Sequence, residues 1–137
     1  MAVLERSFTL GRNMGTPFPL VRNIRSIAFR SGSFIDSIII NGMQFGGGGG
    51  QLSKTIEIDP GDYISRLIIN SGDVVDYISL ETNDGQRMSV GGNGGRSSVL
   101  EGKVTGFSGM TGYFQGGGPL VICRLTVWIE TAQHEPK

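Results

Sequence analysis

Apolar and β-branched residues along this chain fall in short runs: IRSIAFR at 24 to 30, SIII at 37 to 40, KTIEI at 54 to 58, YISRLII at 63 to 69 and LVICRLTVWIE at 120 to 130. Each run is bounded by Gly, Asn, Asp or Pro. No segment sustains a 3.6-residue period over three turns, whereas short runs spaced roughly 8 to 12 residues apart read as strands of a sandwich, barrel or prism. Glycine supports this, because 23 of 137 residues are Gly, and such a chain disfavours helices and favours turns.

The pattern repeats. Ser31-Gly32-Ser33-Phe34-Ile35-Asp36-Ser37-Ile38 matches Ser71-Gly72-Asp73-Val74-Val75-Asp76-Tyr77-Ile78 at a constant offset of 40, and the preceding strands IRSIAFR and ISRLIIN align at the same offset. Each copy is followed by a glycine cluster, Gly46 to Gly50 and then Gly91, Gly92, Gly94 and Gly95. A third copy is expected to start at Ser108-Gly109, which puts Tyr113 in the aspartate position, with GRNMG at 11 to 15 as its loop. Three such units predict an all-β fold of three small antiparallel sheets with pseudo-threefold symmetry.

Hairpin geometry then places side chains. Asn41-Gly42 between apolar runs is a strong two-residue hairpin signal, and it sets Asp36 opposite Gly47. Read the same way, Asp84-Gly85 sets Asp76 opposite Asn93. Two hairpins thus carry a carboxylate to the same end of a sheet as a glycine-rich loop. That combination suits a neutral polyol: an ionised carboxylate accepts charge-assisted hydrogen bonds from vicinal hydroxyls, and glycines let a ligand approach backbone N–H donors. Phe34 is read either as a platform for the apolar face of a sugar ring or as a core residue. The bland alternative for Asp36 and Asp76 is a turn-capping role.

Charge and composition exclude several classes. Twelve basic and twelve acidic residues cancel and are scattered, which argues against nucleic acid as a partner. No run of 18 apolar residues and no signal-peptide h-region is present, so no membrane insertion is expected, and the expectation is a soluble protein, cytoplasmic or exported by a leaderless route. The lone Cys123 shares strand parity with Val121, Leu125, Val127 and Ile129 and reads as a buried thiol; His134 sits in the polar tail. Neither a nucleophile–histidine pair nor a metal site is expected among these residues, nor any cofactor. GGGGGQLSK lacks the Gly-Lys-Ser/Thr ending of a phosphate-binding loop, and Asp59, Asp62, Asp73 and Asp76 follow no calcium-loop spacing. Asp36 and Asp76, on different sheets, are too far apart to act as a glycosidase pair.

The repeated SGxxxD turn, the GGxGG loops, GDYIS at 61 to 65 and ETN at 81 to 83 resemble the jacalin-related lectins over roughly residues 15 to 109. The resemblance implies a β-prism I fold of three Greek-key sheets, spanning residues 1 to 130 as one domain, with 131 to 137 expected as a disordered tail. It implies no catalysis, with mannose- or glucose-type glycans as ligands, since galactose-specific members use an N-terminus created by cleavage. It carries Ser33, Phe34, Asp36, Gly46, Gly47 and Gly48 into one sugar site and Asp73, Val74, Asp76, Gly91, Gly92 and Asn93 into a second. Val74 stands where one member of the family has an aromatic residue, so the second site is expected to be weaker. A third site lacking its carboxylate is expected not to bind. Single sites of this kind bind weakly and need several on one particle for avidity, so at least a homodimer is expected, and the resemblance adds exchange of N-terminal strands. The rival is a structural or protein-interaction prism with degenerate sugar sites.

Overall fold

A computed structural model describes residues 2–114 and 117–133, with the backbone alone for residues 2, 3, 132 and 133. His134 and the rest of the tail lie outside the described residues. In chain order the strands are β1 (Ala2–Gly11), β2 (Thr16–Arg22), β3 (Ser26–Ser31), β4 (Ile35–Ile40), β5 (Met43–Gly46), β6 (Gln51–Leu52), β7 (Ile56–Glu57), β8 (Ile64–Ser71), β9 (Val75–Thr82), β10 (Arg87–Gly91), β11 (Arg96–Glu101), β12 (Lys103–Tyr113) and β13 (Leu120–Gln133). They form three antiparallel sheets. The first runs β5-β4-β3-β6 with β7 also on β3, the second runs β10-β9-β8-β11, and the third runs β1-β13-β12-β2.

One face of each sheet supplies the core. Ile27, Phe29, Ile38 and Ile40 come from the first sheet, Leu67, Ile69, Ile78 and Leu80 from the second, and Phe107, Leu125, Val127 and Ile129 from the third. In β9 and along Leu125 to Ile129 of β13 these residues alternate with more exposed ones, as a pleat with one buried face requires, whereas in the first sheet Ala28 and Ser37 on the other face are buried as well. Each such side chain contributes roughly 1.5–3 kcal/mol relative to being left in water, so three amphipathic sheets around one axis form a β-prism. The third sheet is built from both chain ends, with Ala2 paired to Gln133. β13 therefore runs three residues past the boundary expected at residue 130.

The first hairpin follows the expected register. Ser37 pairs with Gly46, Asn41 and Gly42 take positive φ, and Gly47 N donates to Asp36 O at 2.9 Å. The second differs by one residue. Arg87 pairs with Glu81 and Gly91 with Tyr77, so Asp76 opposes Gly92, whose N–H donates to Asp76 O at 2.8 Å, and not Asn93. The reason is a three-residue loop, Asn83-Asp84-Gly85. Thr82 N donates to Gln86 O at 2.9 Å, Gln86 N donates to Thr82 Oγ1 at 3.0 Å, and the Thr82 hydroxyl donates to Asp84. Gly85 supplies the left-handed conformation that closes such a loop.

The third repeat begins at Thr111-Gly112, and not at Ser108-Gly109. Thr111 pairs with Ile122 as Ser31 pairs with Ile35 and Ser71 with Val75. The offset of 40 therefore holds through the strand and the Thr/Ser-Gly dipeptide. It breaks afterwards because the turn is seven residues longer, Thr111 to Cys123 against Ser31 to Asp36. Ser108 and Gly109 lie inside β12, where a Cβ on Gly109 would sit 2.8 Å from the Phe18 ring.

Candidate functional site

One end of the prism gathers three equivalent corners, each made of a turn and a glycine loop. The loops share only their first and last residues: Gly46, Gly91 and Gly11, then Gly50, Gly95 and Gly15, all with positive φ. The first of each trio lies so close to the facing strand that a Cβ would meet the backbone of Asp36, Asp76 or Cys123. Those three residues are thus structural equivalents. The position lacking an aspartate is Cys123; Tyr113 lies out on the longer arm and is exposed.

At the first corner Asp36 retains 6% of its surface and at the second Asp76 retains 7%. Among the described residues neither carboxylate is bonded to another side chain. Their oxygens face glycine backbone: a Cβ on Gly49 would lie 2.8 Å from Asp36 Oδ2 and one on Gly50 2.7 Å from Oδ1, while at the second corner a Cβ on Gly94 or Gly95 would lie 2.8 or 2.6 Å from an Asp76 oxygen. Burial pushes both carboxyls above the ordinary aspartate value. The Arg30 charge works against this at Asp36, and the neighbouring Asp73 charge adds to it at Asp76. Nearly buried carboxylates without side-chain partners carry unused acceptor capacity, which a ligand's hydroxyl donors can fill.

The other expected site residues divide by role. Gly48 has open space where a side chain would project, and Ser33, Asp73 and Asn93 are exposed. Gly47 and Gly92 serve packing between units: Gly47 lies against the Leu120 carbonyl and Gly92 against that of Ser33. Asp73 faces the third loop through an exposed ion pair with Arg12 at 3.8 Å. Each turn therefore touches the next unit's loop, which links the three corners in a ring. Arg30 holds the first loop, its Nε donating to Gly49 O at 3.1 Å and its Nη2 to Gly50 O at 3.3 Å. Asn70, the equivalent of Arg30 in the second unit, accepts a 2.6 Å bond from Ser97.

Phe34 and Val74 are not sugar platforms of equal kind. Val74 is buried, and with Val121 and Cys123 it forms a second apolar cluster at this end of the prism, flanked by Met14, Phe34 and Phe114. Phe34 is half-buried with its ring 4.6 Å from that of Phe114. At the third corner Cys123 is fully buried, a Cβ on Gly112 would stand 3.0 Å from its Sγ, and burial pushes the thiol up, so it stays neutral. Sequence reasoning missed Arg30 and the pairs Gly49–Gly50 and Gly94–Gly95. The signal for the pairs' outer members was present: Gly11 and Gly15 are the only glycines that GRNMG has in common with the other loops.

Among the described residues no group of three or more His, Cys, Asp or Glu is placed to hold a metal ion, and no helix is long and apolar enough to cross a membrane.

The three antiparallel sheets form a β-prism of the kind on which lectins are built. Residues 8–115 match the Jacalin-like lectin domain, and the chain belongs to that family of non-catalytic carbohydrate-binding lectins. It is 46% identical over 104 residues to griffithsin from Griffithsia sp. (strain Q66D336), covering 74% of this chain and 84% of that one. The structure of wild-type Malaysian banana lectin superposes with a TM-score of 0.72 at 25% identity, covering 93% of this chain and 97% of that one. A mannose-binding jacalin-related lectin from Ananas comosus gives 0.72 at 21% identity, covering 92% and 96%.

Proposed function

We propose that the protein binds mannose- or glucose-type glycans at two corners, anchored by Asp36 and Asp76, and that the Cys123 corner binds none. The observation that carries this reading is the pair of nearly buried carboxylates, each set between an SGxxxD turn and a glycine loop with no side-chain partner among the described residues. Sugar hydroxyls donate to the carboxylate, turn and loop amides contribute further donors, and no bond is made or broken. The choice of sugar is supported by the Ananas comosus relative, a mannose-binding lectin of the same fold.

A single shallow site of this kind binds at around millimolar, about 4 kcal/mol, so useful avidity comes from presenting several sites on one particle. A homodimer, with β1 exchanged between copies, provides them. Its support is that β1 is an edge strand whose Leu4 and Phe8, both on the face turned to the core, remain 37% exposed. Sedimentation of a single-chain species would remove this part of the reading.

Titration calorimetry with methyl mannoside tests the sites. The wild type is expected to show two sites per chain, with Asp36→Ala and Asp76→Ala each losing one. No heat with any simple sugar would replace this reading with an interaction module.

A further inference from the structure

A groove of about 660 Å³ runs along the corner between the first and second sheets. It begins at Ser31, Gly32 and Gln51, the residues flanking the turn and loop that hold Asp36, and it continues between β6 and β10. Both are edge strands. Its existence has a side-chain cause. At the corner between the third and first sheets, Phe18 and Phe45 stack with ring centroids 4.8 Å apart. Phe18 stands three residues after Gly15, and Phe45 one residue before Gly46. The equivalents here, three residues after Gly50 and one before Gly91, are Ser53 and Val90, and both line the groove. Two smaller side chains stand where an aromatic pair fills the other corner.

We propose that this groove extends the Asp36 corner and holds the second and third sugars of an oligosaccharide whose terminal residue sits on Asp36. The inference rests on the sugar-binding reading above. The lining matches the two-sided chemistry of a pyranose chain. Tyr77 is half-buried opposite Gly91, which has no side chain, and exposed Leu52 adds an apolar wall for C–H faces. Gln51, Ser89 and the unpaired backbone groups of the two edge strands meet the hydroxyls. The volume lies within the ~300–1,000 Å³ range of small-ligand sites. A peptide adding as a strand is disfavoured, because β6 has two residues and β10 five, too short an edge for a stable ladder.

The test uses Asp76→Ala protein, which leaves the Asp36 corner alone and removes bridging between corners. Calorimetry is expected to show linear mannotriose bound at least about fivefold tighter than methyl mannoside, a difference of roughly 1 kcal/mol. Adding Ser89→Trp, at an exposed strand position inside the groove, is expected to bring that ratio below about twofold with methyl mannoside affinity unchanged. Leu52→Ser, on the opposite wall, acts in the same direction without adding bulk. Methyl mannoside bound with a ratio that neither substitution moves overturns the groove and leaves the sugar site standing. Absence of methyl mannoside binding overturns both.

Discussion

The Asp36 and Cys123 corners occupy equivalent places on the prism and share the backbone that defines them, yet one holds a nearly buried carboxylate and the other an apolar cluster. Gly46 and Gly11 approach their facing strands equally closely, and Gly50 and Gly15 both take positive φ. The glycines that bound the loop are therefore a requirement of the fold, kept whether or not a carboxylate faces them. On the proposed function, the carboxylate and the inner glycine facing it are what sugar binding adds. Where the aspartate is replaced by Cys123, the longer arm brings Val121 and Phe114 over the corner, and Met14 stands in the loop. The same backbone has become a packing joint.

Restoring the charge at the third corner gives the largest expected effect. Cys123→Asp buries an unpaired carboxylate in an apolar cluster and is expected to cost about 3–5 kcal/mol of stability, read by urea denaturation, without creating a third sugar site in calorimetry. A stable variant that binds three methyl mannosides per chain would break the comparison.

Next come the shared glycines. Gly11→Ala and Gly46→Ala each force a Cβ into facing backbone at an unfavourable φ, and each is expected to lose at least about 1–3 kcal/mol. The losses are expected to be of similar size, although only one corner carries an aspartate. A loss confined to Gly46→Ala would mean that the ligand site, and not the fold, demands these residues.

The smallest effect separates the two carboxylate corners by pH. If sugar hydroxyls donate to the ionised carboxylates as proposed, binding is expected to be complete above the raised pKa values and to fall as pH drops through them, at higher pH than an ordinary aspartate would give. Stability runs the opposite way: the raised pKa values favour the folded state below the unfolded aspartate value, and that contribution is lost as pH rises through the folded ones. Arg30→Gln removes the cation opposing the rise at Asp36 and releases two loop carbonyls. It is expected to shift the first site's midpoint upward and weaken it by about threefold, roughly 0.7 kcal/mol, while Asp76 is unmoved. An unchanged midpoint in a calorimetric pH series would show that Arg30 acts on neither.

Much of this was legible in the sequence, because the features that repeat do so for a packing reason. The period of 40 marks the strand and the SGxxxD turn of each unit and located both carboxylates, while the Asn41–Gly42 dipeptide gave the first hairpin's register. Legibility ended where local chemistry or distant contacts decide. A hydroxyl at Thr82 and an acceptor at Asp84 turn an apparent two-residue hairpin into a three-residue one and move Asp76 from Asn93 to Gly92. An insertion after Gly112 hid the equivalence of Cys123 with Asp36. Within five consecutive glycines nothing distinguishes Gly47, which packs against Leu120, from Gly49, which faces the carboxylate. The environment of Phe34 depends on Phe114, which lies on another sheet's arm.

The pairing of Ala2 with Gln133 has a meaning in time as well as in space. The first two sheets are built largely from strands that neighbour one another in the chain, and such local contacts form quickly. The opening strands pair only with β13 and β12, far along the chain, so their sheet closes through contacts of long sequence separation. Until then the apolar face of β1 and β2 is uncovered, and closing that sheet is the slow, entropically demanding step of folding. The β1 exchange proposed above is then expected to increase with chain concentration during refolding, read as the dimer fraction in sedimentation.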